Sequence, residues 1–227
     1  MPDYTPLDHP IWNALNGPHR AMAMLHGDAA CYPEEVSPLA AVRDPTPGAF
    51  RDLAEIAPNR TLGLVARTPV TVPGTWKTIL ARMIDQMVWV GDPPPPTNEK
   101  LLRLTEADVL EMVALAKATE PGPFAERTIT MGPYYFGIRA PDGRLAAMAG
   151  ERLCIDGFRE ISAVCTYPEF RGKGYAATLM NAVAREIFAE GKIPFLHVKT
   201  ENTAKALYER LGLRVRTPVH FTVIAPA

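Results

Sequence analysis

Apolar positions recur at helical spacing through Val109, Met112, Val113 and Ala116, and again through Leu179, Met180, Val183, Ala184 and Ile187. Each set forms one stripe along a 3.6-residue repeat, which predicts amphipathic helices over about 106–117 and 176–190. Thr105 and Asp108 supply a capping box for the first. Gly191 supplies a C-terminal stop for the second. Between them the rhythm shortens. Residues 134–139 and 145–154 flank Pro141-Asp142-Gly143-Arg144 and predict a β-hairpin. Residues 159–166 predict a third strand, interrupted at Pro168, and 193–198 a fourth. A second helix starts near Asn202, a good N-cap, and ends at Gly212. Val215 and residues 219–224 supply the closing strand or strands, and 101–104 a short early one.

The first hundred residues are less periodic. A short helix is predicted over 49–57, with possible strands within 61–67 and 76–90, broken by Pro69 and Pro73. This part reads as mixed α/β. The 23 prolines are about twice the usual number for this length and concentrate here. Pro93 to Pro96 form an unbroken run that can join neither a helix nor a central strand. Residues 93–98 are therefore expected to be a linker between an N-terminal region, 1–92, and a second domain, 99–227.

Composition narrows the class. The chain has 227 residues, 47% hydrophobic and 22% charged, with net charge −1. That is globular composition, with no global field to draw in nucleic acid or an anionic membrane. No apolar run approaches the roughly 20 residues that span a bilayer. The start, Met-Pro-Asp-Tyr, has no apolar signal region. Cys31, Cys154 and Cys165 are widely spaced, which argues against a disulfide framework and for a reducing cytoplasm. His9, His19, His26 and His220 show no metal spacing, so no metal is expected. Oligomeric state is not readable. Residues 1–98 hold 7 Lys and Arg against 10 Asp and Glu, and residues 99–227 hold 17 against 15. The positive excess downstream suits an anionic ligand.

The chemistry concentrates where a strand meets a helix, at Arg171-Gly172-Lys173-Gly174-Tyr175-Ala176. Two glycines let the backbone bend tightly and approach a ligand. The helix start presents unpaired N–H groups and a positive dipole end, so a pyrophosphate fits there, with Arg171 and Lys173 adding charge. An ordinary strand-to-helix turn would also use such glycines. A Walker loop is excluded by the missing upstream glycine and the missing Ser or Thr. Gly172 to Ala177 satisfies the loose dinucleotide pattern G-x-G-x-x-A, but about 50 residues remain downstream, too few to complete a doubly wound sheet.

The segment from Val164 through Ala176 resembles the Q/R-x-x-G-x-G/A signature of the GNAT superfamily of N-acyltransferases, with Arg171, Gly174 and Ala176 at the defining positions. Residues 202–213, NTAKALYERLGL, resemble its second motif, N-x-x-A-x-x-L-Y-x-x-L-G-F, differing only in Leu213 for Phe. The motifs cover about 50 residues and the looser element order covers the second half. Residues 1–98 give no comparable match, although a degenerate GNAT-like half is possible there.

The resemblance implies an α/β (α+β) fold: a mixed central sheet splayed at an acyl-CoA slot, with helices on both faces. It implies acetyl or short acyl transfer from acetyl-CoA to a primary amine of unidentified nature, by direct attack without a covalent acyl-enzyme. Its pyrophosphate would sit on the N–H groups from Arg171 through Ala176. Its pantetheine arm would run beside Val164, Cys165 and Thr166, with Asn202 and Lys205 as further contacts. The N–H near Val164 would hold the thioester oxygen, and Tyr208 would protonate the leaving thiolate. A packed aromatic is the plainer role for Tyr208, as a small buried residue is for Cys165. Glu160 is the first candidate base, since a spacing of four on one strand puts it on the face of Val164; an exposed carboxylate paired with Arg159 is the alternative. His197 or ordered water are further candidates. The acceptor would lie between the first helices, the 121–123 loop and the N-terminal part. A non-catalytic acyl-CoA sensor is the competing reading.

Overall fold

The computed structural model describes residues 2–97 and 99–227. Its dominant feature is an eight-stranded mixed sheet. The strands are β4 (Leu62–Ala66), β5 (Trp76–Trp89), β6 (Leu102–Arg103), β7 (Phe136–Arg139), β8 (Leu145–Ile155), β9 (Phe158–Thr166), β10 (Ile193–Lys199) and β11 (Leu213–Pro226). Their order is β4-β11-β5-β10-β9-β8-β7-β6. β1 (Met24–His26), β2 (Ala29–Cys31) and β3 (Ala40–Val42) form a separate small antiparallel sheet. The helices are α1 (Pro10–Asn16), α2 (Pro47–Ile56), α3 (Val109–Thr119), α4 (Tyr175–Ala189) and α5 (Lys205–Leu211).

Sequence signals explain most of these elements. Thr46 caps α2 by accepting the Ala49 N–H, and Pro47 opens its first turn. The Thr105–Asp108 capping box is complete and leads through a short 3-10 turn into α3. Glu120 ends α3 in the left-handed region. At the start of α5, Asn202 Oδ1 accepts the Ala204 N–H at 2.9 Å, so the capping turn precedes a helix that begins at Lys205. The closing segment is one long strand, β11. It accommodates Pro218 and carries a bulge at Arg216, between the pairs Val215–Met87 and Thr217–Gln86.

The strands before and after Pro93–Pro96 share one sheet. β5 lies between β10 and β11, so the N-terminal region supplies a central strand. The proline run is packed rather than free: Pro94 is buried and its carbonyl accepts from Arg185 on α4.

The two faces of the sheet carry different cores. On one, α4 and α5 bury Leu179, Met180, Val183 and Ile187 against Ile161, Leu196, Val198 and Met87. On the other, the N-terminal turn and α1 bury Leu7, Ile11 and Leu15 against Val88, Phe158 and Phe195. α3 adds Met112 and Leu115 against Met148, Ala163 and Cys165. α2 packs on the small sheet, with Phe50 and Leu53 beside Cys31 and Leu62. Helices on both faces of a mixed sheet match the predicted fold class. Among the described residues no helix is long and apolar enough to cross a membrane.

Candidate functional site

β9 and β10 run parallel but pair only at Ile193–Phe158, Pro194–Arg159 and Phe195–Glu160. Beyond those rungs both strands continue, β9 to Thr166 and β10 to Lys199, without pairing to each other. β10 instead follows β5, as far as Lys199–Ile84. The sheet therefore opens between β9 and β10, as a splayed slot requires.

A local irregularity on β9 accompanies the opening. Ala163 sits at φ +52°, rare for a residue with a side chain, and the register against β8 slips between Met148–Cys165 and Gly150–Ser162. The extra residue reverses side-chain parity. Ile161 and Val164 both pack toward α4, although they are three positions apart, an odd spacing that puts residues of a regular strand on opposite faces. The spacing argument for Glu160 fails for this reason. Glu160 and Val164 face opposite sides of the sheet, because the bulge breaks the alternation between them.

A cavity of about 680 Å³ occupies the opening. Toward the helical side its walls include Val164, Ala176, Leu207 and Tyr208. Cys165, Thr166, Arg171 and Asn202 also line it. On the other side it reaches Ile11, Leu39 and Val65 from the N-terminal region, and Pro121, Gly122 and Pro123 from the loop after α3. Val164, Cys165, Thr166, Arg171, Ala176 and Asn202, six of the residues named from sequence for the coenzyme, thus share one space with the region named for the acceptor, and that space passes through the sheet.

Gly172 (φ +79°) and Gly174 (φ +80°) take left-handed conformations, and outside the adjoining stretch of chain no atom lies within 4 Å of where either Cβ would be. The glycines are required by backbone conformation, and the space above them is open to a ligand. Gly174 is the N-cap of α4, so the free N–H groups of the first turn start there. Arg171 Nε donates to the Thr166 carbonyl at 3.3 Å, tying the loop to the end of β9. Lys173 lies over the Phe170 ring at 5.4 Å, and Tyr175 packs on the α4 core. Gly172, Lys173, Gly174 and Tyr175 stand at the end of the cavity and do not line its wall. Lys205 is also off the wall: its ammonium pairs with Asp85 and reaches the Thr200 carbonyl.

Tyr208 is buried, and its hydroxyl makes no hydrogen bond among the described residues. Burial raises its pKa, helped by nearby Cys165, so the hydroxyl keeps its proton. Burial also pushes the Cys165 thiol up to about 12, leaving it a poor nucleophile. Cys31 and Cys154 are buried as well.

Glu160 is fully buried and does not line the cavity. Its partner is not Arg159, which bonds to Glu151 and Glu190. Arg152 grips the Glu160 carboxylate with two hydrogen bonds, Nε to Oε2 at 2.8 Å and Nη2 to Oε1 at 2.7 Å. His197 Nδ1 lies 2.8 Å from Oε1. Burial alone would raise this carboxyl's pKa. The charge and hydrogen bonds of Arg152, with His197 assisting, outweigh burial and hold it well below the carboxylate range. A sealed carboxylate of such low basicity is unsuited to collecting a proton from an amine.

His197 does line the cavity, and its tautomer follows from its neighbours. Arg216 Nη1 can only donate, so the Gln86 atom 2.7 Å from it is the amide oxygen. Gln86 Nε2 then donates to the Leu7 carbonyl at 2.9 Å and faces His197 Nε2 at 3.1 Å. His197 Nε2 is therefore an unprotonated acceptor, and Nδ1–H donates to Glu160. Gln86, Arg152 and Arg216 were not among the residues singled out from sequence. The available signal was a polar pair, Asp85 and Gln86, inside the apolar stretch of β5. Among the described residues no group of three or more His, Cys, Asp or Glu could hold a metal ion.

The FR47-like protein family model matches residues 135–221, which hold both motifs and the splayed strands. A solved structure of a GNAT-family protein from Novosphingobium aromaticivorans DSM 12444 superposes with a TM-score of 0.91 at 39% identity, covering 98% of this chain and 99% of that one. The chain belongs to the GNAT family. A GCN5-related N-acetyltransferase from Kribbella flavida shares the fold at 18% identity, with a TM-score of 0.64 and coverage of 95% and 93%. No curated protein matches the sequence. The alignment to the Novosphingobium structure spans nearly the whole of both chains, the N-terminal region included.

Proposed function

We propose that the protein transfers an acetyl or short acyl group from acyl-CoA to a primary amine by direct attack. The observation that carries this reading is the cavity through the splayed sheet. It brings a protonated Tyr208 hydroxyl and the open start of α4 to one side, and His197 to the other.

The residues fit acyl-CoA. An open glycine turn at a helix N-terminus with Arg171 beside it suits a pyrophosphate, and the unpaired edge of β9 suits an extended amide-bearing arm. Acyl-CoA supplies the acyl group activated as a thioester. The Val164 N–H donates to the thioester oxygen as it gains negative charge. His197 Nε2, released from Gln86, takes a proton from the attacking amine. As the C–N bond forms and the C–S bond breaks, Tyr208 gives its proton to the departing thiolate. Glu160 acts through His197 as a positioning residue: it holds the Nδ1–H tautomer and stabilises the imidazolium once Nε2 is protonated. The poorly ionisable Cys165 beside the slot favours direct attack over an acyl-enzyme.

Acetyl-CoA at a hundredfold excess over its Kd should raise the melting temperature by about 5–10 °C, with NAD(P) inert. Free thiol should then be released from acetyl-CoA in a panel of primary amines. Stabilisation by NADH but not by coenzyme A would overturn the reading. Binding without thiol release for any amine would favour the acyl-CoA sensor.

A further inference from the structure

The acceptor side of the cavity has a chemical character of its own. On β5, Leu80, Arg82, Ile84 and Gln86 alternate onto the face opposite α4, and Gln86 reaches His197. Arg82 pairs in register with Phe221 on β11, and Phe221 with Val65 on β4. This row, with Leu39 and Ile11 above it, makes an apolar floor that begins beside His197. Two cations stand along it, Lys199 level with Ile84 and Arg82 level with Phe221, one and two same-face positions along the strands from His197 and Gln86. Arg82 and Lys199 both line the cavity, and neither forms an ion pair or side-chain hydrogen bond among the described residues. Lys199 is directly opposite Ile84, so Arg82 is its diagonal neighbour on the same face. Of the other charged groups in the wall, Arg152 is neutralised by Glu160, Arg171 belongs to the α4 side, and Glu120 is the only carboxylate among the described residues.

We infer that the acceptor is an amine carrying a carboxylate at the far end of an apolar body. The carboxylate is held between Arg82 and Lys199, and the amine is presented to His197. Two like charges left unpaired beside apolar side chains attract an anion, and a guanidinium matches a carboxylate's two oxygens. The separation follows from the strands. Lys199 is two residues from His197, and Arg82 is four from Gln86, so the two ends lie roughly 7–13 Å apart at about 3.3 Å per residue. An α-amino acid is too short for this. An ω-amino acid of six to eight carbons has the right length. The inference rests on the acyltransferase reading given above.

The test is steady-state kinetics with acetyl-CoA and matched acceptors: 8-aminooctanoate against octylamine, 6-aminohexanoate against hexylamine, and leucine. The ω-amino acids should show KM at least tenfold below their uncharged counterparts and below leucine. Octanoate should compete with the amine, whereas octanol should not. In R82M/K199M the KM advantage should disappear, and a melting temperature within a few degrees of wild type would establish that the variant is folded. Equal KM for 8-aminooctanoate and octylamine, or an advantage that survives in the double variant, would overturn the inference and leave acetyl transfer standing. Absence of thiol release with every amine, in protein that binds acetyl-CoA, would overturn both.

Discussion

Individual side chains here take their roles from burial and from what their neighbours offer. Tyr208 has a buried ring and an uncommitted hydroxyl, and burial raises its pKa. A packed aromatic explains the ring but leaves the hydroxyl without a partner. Tyr208→Phe should lower kcat by about 10²-fold, with acetyl-CoA binding and melting temperature unchanged. Since the raised pKa keeps the acid protonated, wild-type kcat should show no loss attributable to this group until the pH exceeds 10. Unchanged turnover in the variant would remove Tyr208 from the mechanism. His197 and Glu160 are separated by the same reasoning. His197→Ala should reduce kcat by about 10²-fold in a folded protein. Glu160→Gln should destabilise the fold by about 3–5 kcal/mol in urea titration, because it leaves Arg152 buried without its counter-charge. The sign of the pH dependence is fixed by the lowered Glu160 pKa. Its contribution to stability is complete above the ordinary glutamate pKa and is lost as pH falls toward the folded-state value. A Glu160→Gln variant as stable as wild type at pH 7 would contradict the buried pair.

At the scale of elements, the glycine turn and α4 were legible because local rules govern them. A left-handed glycine at an N-cap, a long apolar stripe and a glycine stop leave their marks within a few residues. The same holds for the Thr105–Asp108 box and the 141–144 hairpin. The bulge on β9 left no such mark. Ala163 at positive φ is a tertiary outcome, and the alternation rule applied across it put Glu160 on the wrong face. The Gln86 network was equally hidden, because its donors and acceptors come from residues 7, 86, 197 and 216. Motif residues could therefore be named from sequence, while the residues that orient them could not. The glycine turn admits a direct test. Gly174→Glu should abolish acetyl-CoA binding by calorimetry while costing the fold only about 1–2 kcal/mol, the strain of a side chain at left-handed φ. The small cost is expected because, outside the adjoining stretch of chain, no protein atom lies within 4 Å of the new Cβ. Retained binding would show that the coenzyme does not use this helix start.

For the whole molecule, the decisive fact is the place of β5. A run of four prolines is a sound local signal for a boundary, yet a sheet is completed by strands from anywhere in the chain. Here β5 bonds to β10 on one side and along nearly all of β11 on the other. Without it, β11 and β4 would lose their attachment to the remaining strands, and Met87 and Trp89 would leave the α4 core. The N-terminal turn also helps build the site. The Leu7 carbonyl holds Gln86, and Asp8 holds Arg216, whose other contact is Gln86. We therefore propose that residues 1–92 and 99–227 form one cooperative unit and not two domains. A chain of residues 99–227 alone should fail to fold, giving a disordered amide spectrum by NMR and no cooperative thermal transition. Co-expression of 1–92 as a separate chain should restore both folding and acetyl-CoA binding, because β5 can pair without covalent connection. A stable, acetyl-CoA-binding 99–227 fragment would mean that β10 and β11 can close the sheet by themselves, and that the proline run separates domains after all.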